Sequence, residues 1–487
     1  MLAALPLLAL CSPAAAETSP EQLRRHIDVL ASDAFEGRKP GTEGENKSLL
    51  YISSQLQRAG LKPAAENGWY QPVEIVTRSP RTARSAWKAR GRNVKFDQGE
   101  LVLIGDKEKV TLTDAPVWFV GHGVRMLDKG MDQLAGADLK GAVALILYDG
   151  PEVEGFPSFA ERVKAVREAG AAAVIGIVGE DVPWPAITSS FARGQNRLKI
   201  DEVAALQGAM PLAAAARLIR AGGGDLEALL NSAPGPSFRA ERLGLSASFE
   251  VATNVHTIVS HNVVGRLPGS GKTGESLLLL GHWDHLGICA PDAADRICNG
   301  AVDNASGIAS LIEIASALAS GPRPQRDIVF LATTAEEMGL LGAGYFARRP
   351  VVPLSSAVGA INMDTVAIAA RGEPVAIIGR GTTAMDPIVD AAARNLGRQI
   401  DSDTEANVMI ERQDGWALAH AGVPTIMAGG SFASMSKLRT FLSGIYHKPG
   451  DNPGEALVLG GAAEDTDLLI EVARRLADPR LYPTPDR

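Results

Sequence analysis

The chain has 487 residues, 46% of them apolar, and a net charge of -8. It is too long for one ordinary core and too apolar for a disordered polymer, so two or three domains are expected. With a pI near 5.6 it lacks the basic face that phosphate binding needs, which excludes nucleic acid as the main partner; the locally basic stretch from Arg78 to Lys95 reads as solvated surface.

Residues 1–16 form an apolar run ending in Ala14-Ala15-Ala16. The run is shorter than the roughly 18 to 20 residues a membrane-crossing helix needs, and it ends in the small residues that signal peptidases accept. A signal peptide over 1–16 and export to the periplasm or medium are expected. A lipid anchor through Cys11 is the alternative, although Leu10 stands where a small residue is needed. No other apolar run is long enough to suggest a transmembrane segment. Removal of the leader leaves two cysteines, Cys289 and Cys298, separated by a short polar stretch. In an oxidising compartment they are a plausible disulfide. Thiolate ligation of a metal is the alternative, but it ordinarily gathers four ligands at tighter spacing.

Ser19-Pro20-Glu21-Gln22 has the form of a capping box with Pro at the first helical position, followed by Leu23, Ile27 and Leu30 on one face. A second helix is predicted from Thr42, through Leu49, Ile52 and Leu56, to Gly60. Composition then shifts, and a separate inserted unit is expected over 99–240, between a first catalytic-domain part at 17–98 and the main part at 241–487. Within the insert, 142–148 and 172–178 read as buried strands and 159–169 as a helix. His122 stands alone there and reads as structural.

From Asn262 short apolar runs at 262–267, 276–280, 327–332, 357–363 and 424–427 alternate with helical patterns. The expected fold class is α/β, a mostly parallel doubly wound sheet with helices on both faces. Gly269-Ser270-Gly271-Lys272-Thr273 ends like a phosphate-binding loop, but Arg266 occupies the position of the required first Gly. A hairpin turn is predicted instead.

The stretch from Gly281 to Gly307 is the centre of the chain. It offers His282 and Asp284 as a His-x-Asp pair, then Asp303 just before a strong helical pattern. Imidazole and carboxylate are the ligands a hydrolytic zinc prefers, and Asp284 is placed to orient His282. Glu336, Glu337 and Asp364 also follow predicted strands. Parallel strands gather such residues at their carboxyl ends.

These motifs, with Asn362-Met363-Asp364 and Tyr446-His447, resemble in order those of the M28 family of zinc peptidases. The similarity covers 23–54 and 262–447. The family includes secreted bacterial aminopeptidases, glutamate carboxypeptidases, the transferrin receptor and glutaminyl cyclases. The insert, with Asp138-Leu139-Lys140-Gly141 before an apolar strand, resembles a protease-associated (PA) domain. The resemblance implies two zinc ions per chain, one held by His282, Asp303 and Asp364 and the other by Asp303, Glu337 and His447. It implies Glu336 as general base, Tyr446 as a stabiliser of the oxyanion and Arg412 near the substrate carbonyl. The family more often has Ser where this chain has Gln413, and a second Asp where it has Asn304.

The expected activity is removal of N-terminal residues from peptide substrates by a metal-bound water and a Glu base. A carboxypeptidase of the same fold is the main alternative, and needs a basic pocket to which Arg380 and Arg412 could contribute. A glutaminyl cyclase or a non-catalytic receptor-like protein completes the alternatives.

Overall fold

The computed structural model describes residues 17–151, 155–201, 203–454 and 457–484, so the expected leader and Cys11 lie outside the described residues. The chain forms two compact units. One is built from residues up to Glu74 and from Val259 on, the other from Ile75–Ile258. The stretch expected to be inserted, 99–240, lies within the second unit, which also takes in the strand segments 75–89 and 241–258.

In the first unit four parallel strands stand in the order Thr425–Gly429, Ala357–Asn362, Ser276–His282, Asp327–Thr333. Antiparallel strands flank them, Ala376–Ile378 at one side and residues 263–267 at the other. Every residue of Ser276–His282 is buried, because both faces of the sheet are covered. Leu277 and Leu279 join the cluster formed with the helices Ser306–Ser320 and Leu459–Leu476, while Leu278 and Leu280 pack with Phe346 and Leu418 on the opposite face. That double coverage is why the strands read as continuous apolar runs rather than as alternating ones.

The first helix runs Pro20–Leu30, and its capping box is complete: the Ser19 hydroxyl accepts the Gln22 N–H while the Gln22 side chain accepts the Ser19 N–H. The second runs Glu43–Arg58. Thr42 does not cap it; the Thr42 hydroxyl donates to the Lys39 carbonyl, and the Glu45 carboxylate accepts the Gly41 N–H.

The predicted hairpin at 269–273 is corrected. Strands 263–267 and 276–282 do not pair with each other, because Asp327–Thr333 lies between them, antiparallel to the first and parallel to the second. The segment is a connection held by Gly269 N–H on Asp327 and by Ser270 and Gly271 N–H on the Pro324 and Gln325 carbonyls.

Within the second unit strands stand in the order Lys109–Phe119, Val143–Leu147, Ala173–Val178, Leu206–Pro211, Val102–Gly105, parallel except for the last pair. Helices Phe159–Glu168 and Leu212–Ala221 flank it, with separate apolar clusters on the two faces. His122 is buried here with its Nδ1 3.0 Å from the Asp149 carbonyl. No helix among the described residues is long and apolar enough to cross a membrane.

Candidate metal centre

The carboxyl ends of the parallel strands build the site. Strand 276–282 ends on His282, and Trp283 follows fully buried in the core, its indole N–H donating to the His261 carbonyl. With Trp283 anchored inward, His282 and Asp284 turn to the end of the sheet. Strand 327–333 leads to Ala335, which takes a left-handed φ of 54° immediately before Glu336 and Glu337. Strand 357–362 leads to Asp364, followed by Thr365 at φ 53°, and His447 itself sits at φ 58°. Left-handed backbone at non-glycine residues is costly, and its recurrence beside these side chains marks a site whose geometry the surrounding fold enforces.

Asp303 lies in an irregular turn before helix Ser306–Ser320, held from two sides. Asp451 accepts the N–H groups of Val302 and Asp303 at 2.8 and 3.0 Å. Asn304 donates to the Met363 carbonyl at 2.9 Å and accepts the Gly307 N–H at 2.9 Å. A carboxylate at position 304 could not make the first of these bonds, which ties the Asp303 turn to the segment bearing Asp364.

The two oxygens of Asp303 face different imidazoles. Oδ1 is 3.3 Å from His282 Nε2, which is also 3.6 Å from Asp364 Oδ1. Oδ2 is 3.3 Å from His447 Nε2, which is 2.9 Å from Glu337 Oε2. Asp303 Oδ2, Glu337 Oε1 and His447 Nε2 are buried without a hydrogen-bond partner among the described residues. Ligands of one tetrahedral zinc, bound at about 2.0–2.2 Å, stand about 3.3–3.5 Å apart, so this nitrogen and oxygen set fits zinc in chemistry and spacing. Among the described residues two groups have ligand atoms within 4.8 Å of one another: His282, Glu336 and Asp364, and His285, Asp303 and Glu337.

Asp284 is fully buried, and its parts divide the work. Its main-chain carbonyl lies 3.2 Å from His282 Nδ1, whereas carboxylate Oδ1 is 3.8 Å from that nitrogen and accepts the Glu336 N–H at 3.1 Å. The imidazole is thus oriented by backbone, and the carboxylate orients the start of the Glu-Glu pair. Burial pushes the Asp284 carboxyl up to about 8. The other carboxyls diverge. Burial would raise Asp303, but His285, His282 and His447 pull it well below the usual range. For Glu336 burial, reinforced by Asp414 and Asp364, outweighs His282 and pushes the carboxyl well above it. An ionised ligand beside a proton-exchanging carboxyl is the division that hydrolytic sites use.

A cavity beside these groups is lined by Asp303, Glu336, Asp364, Arg412, Tyr446 and an apolar side that includes Phe432. The Tyr446 ring stacks on His447 with centroids 3.7 Å apart. Burial, then the charges of Asp303 and Glu337, raise the Tyr446 hydroxyl above the ordinary phenol value, so it stays protonated.

Four residues the motifs did not nominate complete the surroundings: Arg38, His285, Asp414 and Asp451. Asp414 follows Arg412 closely, accepts the Thr333 hydroxyl, and is raised to about 6 by burial. Arg38 is the most informative. It is wholly buried and donates to four carbonyls, Leu30, Trp283, Asn299 and Gly300, at 2.6–2.8 Å. It therefore fastens the His282–Asp284 loop to the turn preceding Asp303. Burial lowers its pKa to about 10, opposed by Asp303, Asp451, Asp284 and Glu337, so it remains a cation beneath those carboxylates. The available signal was Glu36-Gly37-Arg38, where Gly37 has φ 64° and an added Cβ would lie 2.4 Å from the Cys298 carbonyl oxygen. Arg38→Met takes the donor from the Leu30, Trp283 and Asn299 carbonyls, while Gly300 keeps the Ala305 N–H, and each such loss costs about 1–3 kcal/mol. A loss of at least about 3 kcal/mol is expected from denaturant midpoints, with Arg38→Lys intermediate.

Residues 262–471 match the model of peptidase family M28. This part of the chain belongs to that family. The M28 region accounts for the strands and loops that carry His282, Asp303, Glu336, Glu337, Asp364 and His447. Over 107 residues the chain is 36% identical to a probable zinc metalloprotease of Leptosphaeria maculans, an overlap of 22% of this chain and 24% of that one. It is 24% identical to a glutamate carboxypeptidase 2 homolog of Caenorhabditis elegans, over 84% of this chain and 59% of that one. The chain thus spans about a quarter and about three fifths of these relatives' lengths. Among solved structures, an aminopeptidase from Aneurinibacillus sp. strain AM-1 has the same fold, with 19% identity, a TM-score of 0.52, and coverage of 95% of this chain and 94% of that one.

The disulfide expected from Cys289 and Cys298 is present, with Cα atoms 5.7 Å apart. It joins the short antiparallel strands Gly287–Ile288 and Ile297–Cys298 between His282 and Asp303.

Proposed function

We propose that the chain is an exported two-zinc aminopeptidase. The observation that carries this reading is the pair of imidazoles, His282 and His447, meeting the two separate oxygens of Asp303 at 3.3 Å each. His282, Asp303 and Asp364 would hold one zinc, and Asp303, Glu337 and His447 the other. When bound, such ions polarise a scissile carbonyl and acidify the attacking water. Glu336, with its raised proton affinity, takes the water proton and returns it to the leaving amine. Asp284 keeps Glu336 in place through the backbone N–H. Tyr446 donates to the developing oxyanion, and Arg412 positions the substrate carbonyl from the cavity wall.

Export is supported by the Cys289–Cys298 bond, which persists in oxidising compartments, and by the apolar run at 1–16. The unit Ile75–Ile258 is read as a PA-like module.

The carboxypeptidase reading draws on Arg412 in the cavity and on the C. elegans relative. Arg380, the other cation it needs, is engaged by Asp390 at 3.0 and 3.4 Å. Matched peptides separate the two readings, one with a free N-terminus and blocked C-terminus and one with the reverse. Zinc-dependent loss of the N-terminal residue from the first is the expected result. Cleavage of only the second peptide would establish the carboxypeptidase, and silence on both would point to cyclisation or binding.

Zinc uptake should release protons. Burial would lower His447, but Asp303 and Glu337 outweigh it and raise the imidazole to about 9. Because this pKa is raised in the fold, its contribution to metal-free stability is complete below about 6.5 and is lost as pH rises through about 9. Zinc needs the neutral ring, so for this group apparent affinity should fall about tenfold per pH unit below 9. Zinc titration in an indicator-buffered solution should release protons at neutral pH and fewer above that value. A release independent of pH across this range would contradict the assignment of His447 as a ligand.

A further inference from the structure

We propose that Asp465 and Arg398 are positioning residues for the apolar wall of the cavity: they seat the turn that carries Phe432, and so set how sharply the site discriminates between a large and a small side chain on the residue it removes. This rests on the aminopeptidase reading above.

Asp465 is buried on the last helix, Leu459–Leu476. Both of its oxygens accept the Gly430 N–H, at 2.9 and 2.8 Å, and Oδ1 also accepts Arg398 Nη2 at 3.1 Å. Gly430 opens the short turn Gly430–Phe432 at the end of strand Thr425–Gly429. The strand end meets the pair with its backbone. A Cβ added at Gly429 would lie 2.6 Å from Asp465 Oδ2, and one at Gly430 would lie 3.2 Å from Arg398 Nη2. A shift of the carboxylate is therefore passed directly to the backbone just before Phe432, which lines the cavity together with Met427 of the same strand.

Arg398 widens the grip. Its Nε and Nη2 donate to the Glu373 carbonyl at 3.1 and 2.8 Å, and the Glu373 carboxylate pairs with Lys437 on helix Met435–Ser443. That helix supplies Leu438 and Leu442 to the same wall. One network thus holds both the turn and the helix against which a side chain would lie. Fit in an apolar pocket is worth about 10- to 200-fold per methylene, so a displaced wall penalises a large side chain far more than a small one.

The same network makes the wall sensitive to pH. Burial, reinforced by Glu464, pushes the Asp465 carboxyl up to about 6 against the pull of Arg398 and the Gly430 N–H. Glu464 is itself engaged by Arg371 at 3.4 Å and by the Gly372 N–H at 2.8 Å. Above about 6 the ionised Asp465 holds Gly430 and Arg398 by charge-assisted bonds. Below that value the proton removes the charge and one accepting oxygen, and the seat loosens.

The test uses two free-N-terminus peptides that differ only in a first residue of Leu or Ala, on the zinc-loaded protein. Their kcat/KM ratio divides out the titration of the metal centre, which both share. In the wild type the Leu-to-Ala ratio should fall at least about tenfold as pH is lowered through about 6. Asp465→Asn sets an amide N–H against the Gly430 or Arg398 donor, and its ratio should be low and flat. A wild-type ratio in that variant would overturn the proposal. The Gly430 amide resonance, in protein carrying isotope-labelled glycine, reads the seating without any substrate. Its midpoint should lie near 6 in the wild type and higher in Arg398→Gln, which lacks the cation that favours the ionised carboxyl. A wild-type Gly430 resonance indifferent to pH would also overturn the proposal, even if Asp465→Asn did not fold. If neither peptide is cleaved, the aminopeptidase reading falls and the selectivity claim with it, while the Gly430 resonance still decides whether Asp465 seats the turn.

Discussion

Glu336→Gln is expected to lower kcat by roughly 100- to 10,000-fold while leaving zinc content unchanged. The amide keeps the shape of the side chain and the backbone N–H that Asp284 accepts. What it cannot do is take a proton from water, the role proposed for this carboxyl, whose proton affinity burial and the charges of Asp414 and Asp364 raise. Because hydrolysis requires that transfer in the attack and again toward the leaving amine, KM should change much less than kcat. Steady-state rates on the free-N-terminus peptide, with metal analysis of the same preparation, check this. A variant with full zinc and undiminished kcat would remove Glu336 as the base, and a variant lacking zinc would make it a ligand.

Asp303→Ala has the larger structural consequence. Among the described residues Asp303 is the one side chain whose two oxygens meet both His282 and His447, so on the two-zinc proposal its removal would take a ligand from each ion at once. It would also remove the negative charge that, on that proposal, offsets the repulsion between two cations. The expected result is a protein with well under one zinc per chain after desalting, inactive on either peptide, and no longer raised in Tm by added zinc. For the wild type, that rise follows from binding to the folded state alone. The turn itself should persist, because Asp451 holds it through the Val302 and Asp303 N–H groups, which the substitution leaves in place. Calorimetry with and without zinc distinguishes lost metal from lost fold. A variant that still bound two ions would show that Asp303 does not bridge them.

The strand pattern was legible because burial on both faces of a parallel sheet demands continuous apolar runs, and those at 276–280 and 327–332 leave little alternative. The disulfide was legible from the closeness of Cys289 and Cys298 in the sequence and from the export expected of the chain. The connection at 269–273 was misread because local apolarity on both sides of a Gly-rich turn cannot reveal a third strand, Asp327–Thr333, placed between its neighbours from far along the chain.

The site divides in the same way. His282, Glu336, Glu337 and Asp364 announce themselves by residue type and by position after strands, and Asp303 by its place before a helix, properties that belong to the local sequence. Arg38, His285, Asp414 and Asp451 carry no such mark, since an arginine in a turn or an aspartate after a helix has many ordinary explanations. Only the tertiary structure decided that one guanidinium fastens four carbonyls beneath the site. It also decided that Asp284 offers its carbonyl to His282 and its carboxylate to Glu336. The physical reason is range. Periodicity and strand ends are set by neighbours along the chain, whereas the direction of a buried polar atom is set by whichever distant group the packed fold brings within a hydrogen bond of it.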